Sequence, residues 1–186
     1  MEPIFLADHP ALDLLNTTSR IGGQLVDQLQ SDADVLRWLA LADIPVPARA
    51  PSPAGSLLAD TRLLRETLRT LVEKRKAHKH GNPDLLNEFL ARSKSHPHLV
   101  WDKASEPRLE HRRKQETPRQ ILGPLANAAA ELLVDGDFNL IRTCEDPTCV
   151  LWFYDHTKSH HRRWCSMATC GNRHKVAAYR QRQAQA

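Results

Sequence analysis

The sequence predicts a mainly α protein whose last quarter is built on a different plan. Three observations predict it. Leucine and alanine recur at helical spacing through most of the first 135 residues. Proline and glycine divide that pattern into segments. All four cysteines fall between positions 144 and 170.

The first helix fits Pro10 to about Thr18, with Pro10 at the first helical position and Leu12, Leu14 and Leu15 on its apolar side. A second runs from about Asp32 to Ala42, with Ser31 as N-cap, Asp34 three residues later, and Val35, Leu36 and Leu39 on one face. Pro45, Pro47, Pro51 and Pro53 then make an extended connector, because proline lacks a donor and turns its predecessor away from the helix. The longest helix spans Ser56 to about His80, with Leu57, Leu64, Leu68, Leu71 and Val72 at helical spacing. Gly81 ends it, and Asn82-Pro83 opens another through Leu85, Leu86, Phe89 and Leu90. Leu99–Trp101 and Arg108–Arg112 fit a small β-hairpin. Thr117-Pro118 caps a last body helix that stops at Gly136, with a kink expected at Gly123-Pro124.

The cysteines pair as Cys144-x4-Cys149 and Cys165-x4-Cys170, fifteen residues apart. The N-terminus has an acidic residue and no basic n-region, so it does not read as a signal peptide. The default expectation is a cytoplasmic protein, where thiols stay reduced and clustered cysteines read as metal ligands. Two short loops each supplying a pair suit one structural Zn²⁺, which takes four thiolates tetrahedrally. His156, His160 and His161 could each displace a cysteine, but four soft, charged ligands should prevail. Strand-like Leu140–Arg142 and Val150–Tyr154 flank the turn "EDPT", giving a hairpin whose tip offers Cys144 and Cys149. The second pair then sits at or before a helix from Asn172 to about Gln183, with Val176 and Tyr179 expected to bury against the finger. Hairpin plus helix is a treble-clef-like arrangement. The expected division is therefore a helical domain over 1–137 and a finger over 138–186.

Charge points the same way. Residues 144–186 hold seven Lys/Arg against three acidic residues, while the first 143 hold nineteen of each. A neutral body with a basic end is the asymmetry expected of a nucleic-acid contact. Arg162, Arg163, Arg173, Lys175, Arg180 and Arg182 are the candidate contacts, with Arg173 and Arg180 on one helix face and Arg173 the candidate base reader. No apolar run approaches the ~18 residues that span a bilayer.

At "CGNR", Cys170 to Arg173, the chain resembles the CGNR zinc-finger family, and the likeness extends through "RRWCSMATCGNRHKVAAYRQR". The preceding body, with "ALDLLNT" at Ala11–Thr17, resembles the ABATE domain. The resemblance implies a stress-linked bacterial transcription regulator with the finger as its DNA-binding part. It also implies Cys144, Cys149, Cys165 and Cys170 as the metal ligands. A body that senses a small-molecule effector, or forms a homodimer, would suit that architecture. Asp13, Asn16 and Thr17 are its candidate ligand contacts, and helix-end hydrogen bonding is their plainer reading.

Two other classes stay open. A protein–protein module would use the finger as a docking surface. A His-Asn-His nuclease would use His160, His161, Asn172 and His174, but the last two stand only two residues apart where such nucleases place the final histidine further along the helix. A catalytic zinc is disfavoured separately, because four cysteines leave no open metal position for water. A non-enzyme is therefore expected.

Overall fold

A computed structural model describes residues 3–184. In chain order, helix α1 (Pro10–Asn16) leads into hairpin β1 (Thr18–Ile21) and β2 (Gln24–Asp27). Helices α2 (Asp32–Leu41), α3 (Ser56–Lys76) and α4 (Asp84–Arg92) follow, then hairpin β3 (Ser95–Trp101) and β4 (Pro107–Arg113). Helices α5 (Pro118–Ile121) and α6 (Gly123–Asp135) close the body. The finger contains β5 (Ile141–Thr143), β6 (Trp152–Tyr154), a π-helical turn (Met167–Gly171) and α7 (Asn172–Ala184).

Helix α3 is the hub, packing against α1, α2, α4, α5 and α6. Its Leu57, Leu64, Leu68 and Val72 are wholly buried, as their spacing predicts. Six consecutive residues of α1, Ala11 to Asn16, are buried, so this helix is enclosed on all sides. Ser31 caps α2 through its hydroxyl to the Asp34 N–H at 3.1 Å, the local device legible from sequence. The expected last body helix is two pieces, with the break at Leu122-Gly123. Thr117 and Gln120 form a reciprocal capping box on the first piece.

The β1–β2 hairpin was not expected, yet its signal is visible. Gly22 and Gly23 take φ of 59° and 86°, the positive values a two-residue hairpin turn requires. Arg65 of α3 pins the hairpin, reaching Asp27 at 2.8 and 2.7 Å and Thr17 Oγ1 at 2.9 Å. Burial alone would raise the Asp27 carboxyl; the Arg65 contacts outweigh it and hold it below its ordinary value. Helix α3 also ends earlier than expected, at Lys76, because His78 turns left-handed with φ 54°.

The finger is stitched to the body rather than tethered. Ile141 and Trp152 belong to the body's core, and β6 lies against α1. Asn16 brackets Trp152, donating to its carbonyl and accepting from its N–H, both at 2.8 Å. The Tyr154 N–H donates to Ala7 O at 2.8 Å. Lys76 donates to the Phe138 and Ile141 carbonyls at 3.1 and 2.6 Å. Among the described residues, no helix is long and apolar enough to cross a membrane.

Candidate metal centre and basic helix

Cys144 leaves the end of β5, Cys149 precedes β6, Cys165 follows the 155–164 loop and Cys170 lies in the π-helical turn. Their four Sγ atoms lie within 4.8 Å of one another. Cys149–Cys165 and Cys165–Cys170 are 3.7 and 3.6 Å apart. Thiolates at ~2.3 Å from a tetrahedral centre stand about 3.8 Å from each other, so the set fits one Zn²⁺. The Cys165 N–H points at Cys144 Sγ at 3.4 Å, a donor suited to a thiolate. The hydrogen bond from Cys165 pulls Cys149 down to about 5, while Cys165 is pushed up and burial carries Cys170 to about 12. Protein groups alone therefore stabilise one thiolate at the expense of its neighbours; a bound dication would favour all four. His156, His160 and His161 lie outside this sulfur cluster.

Each letter of the CGNR stretch has a local task. Cys170 supplies a ligand. A Cβ on Gly171 would sit 2.8 Å from Met167 Sδ and 3.2 Å from Trp164 Cδ1, so the turn closes tightest here. Asn172 donates from its side-chain amide to the Ala168 carbonyl at 3.2 Å, tying the first residue of α7 back to the π turn. Arg173 reaches back to Asp146 at 3.1 Å and Thr148 Oγ1 at 2.7 Å, tying the helix start to the knuckle between the first cysteines.

Two Asp-x-Thr turns complete the frame, and sequence reading passed over both. Asp146 accepts from the Thr148 N–H and hydroxyl at 2.9 and 2.6 Å. Asp155, wholly buried, repeats this with Thr157 at 3.1 and 2.6 Å and also accepts from the Arg162 N–H at 2.9 Å. The Thr148 hydrogen bond holds Asp146 below the usual carboxylate range; for Asp155 the Thr157 and Arg162 donors overcome burial to the same effect. The signal was present, since Asp followed two residues later by Thr builds such turns.

The six candidate nucleic-acid residues separate into two groups. Arg162 is a strut: it donates to Leu6 O and Cys165 O at 2.7 Å, pairs with Asp8, and lies 4.4 Å over the Phe153 ring. Arg163 pairs with Glu145 at 2.6 Å and covers Trp164. Arg173 is held as described. Lys175, Arg180 and Arg182 are exposed on α7, with no ion pair among the described residues.

The expected burial of Val176 and Tyr179 is corrected. They are 49% and 57% exposed. The finger instead takes the small side of α7, where His174 stacks on Trp164 at 4.7 Å and Ala178 is half-buried. At 100° per residue, Val176, Tyr179 and Arg180 lie on the opposite side with Lys175 at its edge, while Arg182, four residues after Ala178, continues the inner stripe into the exposed last turn. Small residues seat this helix, so the apolar ones remain on its outer side.

The expected ligand contacts also receive the plainer reading. Asn16 and Thr17 are each 1% exposed; Asn16 brackets Trp152, and Thr17 donates to Leu14 O at 2.7 Å. Asp13 accepts from the Leu6 and Ala7 N–H groups, both at 3.0 Å. Burial lifts its carboxyl to about 6 despite those donors.

The fold and site define a class: a helical body carrying a four-cysteine zinc finger of the knuckle-and-helix kind. Residues 8–136 match the ABATE family, described as "Putative stress-induced transcription regulator", and residues 141–183 match the CGNR zinc finger. The chain belongs to the ABATE family and carries a CGNR finger with four cysteines positioned for one metal ion. No curated protein matches the chain.

The frame around the cysteines gives one expected result. Arg173→Ala should weaken zinc retention about tenfold, the lower end for residues that orient metal ligands. Chelator competition on the purified protein measures it. Zinc affinity equal to that of the parent would contradict the tie between Arg173 and the knuckle.

Proposed function

We propose that this protein is a DNA-binding transcription regulator whose contact surface is the exposed surface of α7. The observation that carries the reading is the exposure of Lys175, Arg180 and Arg182 along α7, with Val176 and Tyr179 exposed beside Arg180. The cations neutralise phosphates, and an α-helix fits the major groove. Val176 offers an apolar contact of the kind a thymine methyl takes up, and Tyr179 a hydroxyl that can reach phosphate. Zinc fixes the helix origin, and the body holds the finger through β6. Arg162, Arg163 and Arg173 act chiefly by shaping this unit, leaving three free cations for the duplex.

Counterion release sets the expected result. Three phosphates neutralised per finger give a slope of log affinity against log salt near −3. Arg180→Ala and Arg182→Ala should each flatten it by about 1 and weaken binding to every sequence. Fluorescence anisotropy of the zinc-loaded protein on duplex DNA, from low to physiological salt, reads both. A slope near zero, or no binding at low salt, would overturn the reading. The exposure of Val176 and Tyr179 would then favour a protein-docking finger.

A further inference from the structure

The β3–β4 hairpin is amphipathic, with its apolar side turned outward. Cross-strand partners share a face, so Pro97, Leu99 and Trp101 line up beside His111, Leu109 and Pro107. Leu99, Leu109 and Trp101 are 60%, 62% and 68% exposed. The opposite face pairs His98 with Glu110 and Val100 with Arg108, residues of which His98, Val100 and Glu110 are partly covered. Arg108 and Glu110 form an ion pair there at 2.7 Å. A two-stranded ribbon is marginal alone in water, and a contiguous exposed apolar patch marks a contact surface.

We propose that this face is a dimer interface, covered by the same face of a second copy of the chain. The row pattern is self-complementary. A two-fold axis lying along the Leu99–Leu109 row sets each leucine on its own counterpart, and Trp101 lands on Pro97 of the partner subunit. Pro107 lands on His111 of the partner subunit. No lysine, arginine, aspartate or glutamate lies in these three rows, so the two-fold contact buries no such charge at its centre. The indole, two leucines and two prolines offer roughly 600 Å² per copy, which places the pair at the lower end of stable interfaces. An isologous contact of this kind closes at two copies. Duplex DNA is a poor occupant, because the three outer rows present no lysine or arginine to a polyanion. The inference stands apart from the DNA reading, and its test needs no DNA.

The tryptophans supply a built-in reporter. Trp38, Trp152 and Trp164 are 1%, 7% and 9% exposed, so acrylamide quenching reports chiefly on Trp101. Sedimentation equilibrium of the zinc-loaded full chain should give a dimer at micromolar concentration. Quenching should rise severalfold on dilution to monomer. Leu99→Lys sets lysine on lysine and Leu99→Glu sets glutamate on glutamate, so each variant alone should be monomeric with Trp101 fully quenchable. An equimolar mixture of the two should restore the dimer and protect Trp101, which a merely misfolded hairpin would not do. A monomeric parent at tens of micromolar would overturn the proposal. So would single variants that remain dimeric, or a mixture of folded variants that fails to pair.

Discussion

Replacing Cys149 with serine should abolish stoichiometric zinc binding and melt the finger only as far as its junction with the body. Structural zinc contributes about 10–16 kcal/mol to small metal-built units. The finger's own core amounts to Leu151, Phe153, Trp164 and the cysteines, with Ile4 against them, too little to hold the knuckle and π turn without metal. The base of the finger differs, since Ile141 is fully buried and Trp152 is 7% exposed within the body's core. Protease should therefore cut the metal-free variant in the loop after Asp155, leaving a fragment of roughly residues 1–160 at the limit set by these contacts. Elemental analysis and intact mass of the fragment measure the two halves of the claim. Full zinc occupancy would contradict the ligand set. A fragment ending near residue 140 would show that β5 and β6 leave with the metal, as a plain division into 1–137 and 138–186 expects.

Asn16→Leu is the second large effect, because one amide satisfies two backbone groups of Trp152 inside the core. Leucine keeps the branched shape, with somewhat greater bulk, but leaves that N–H and carbonyl without partners, each costing about 1–3 kcal/mol. A total near 4 kcal/mol lowers Tm by about 10 °C in a chain of this size. Asn16→Asp keeps the shape and the acceptor, yet loses the donor and buries a charge, so it should cost at least as much. Calorimetry of the zinc-loaded variants decides it. A loss below 1 kcal/mol would mean that Asn16 is not the fastener it resembles.

What was legible in the sequence is what is decided locally. Ser31 with Asp34, the proline connector and the helical spacing of α3 each depend on residues a few positions apart. The cysteine cluster was legible because ligand type and pairing are themselves the chemistry. Gly22-Gly23 is a local signal of the same kind, since two adjacent glycines suit the positive φ values of a two-residue hairpin turn. The fastening of the finger could not be read this way: Asn16 meets Trp152 across 136 residues, and Arg162 meets Leu6 across 156. Periodicity also assigned the wrong inner side of α7. It takes apolar side chains to point inward, whereas here His174 on Trp164 sets the rotation and leaves Val176 and Tyr179 outside.

The bracket that Asn16 forms around Trp152 has a consequence for biosynthesis. During translation α1 emerges long before β6, so its buried amide must wait, paired with water, for a strand that does not yet exist. Closing so long a loop is slow even though its added entropic cost grows only logarithmically with length. The final compaction of the body is thus deferred until residues around 152 have left the ribosome. Chains that stall before that point present an incomplete core to proteases and chaperones, and the cell can discard them before half-made protein accumulates.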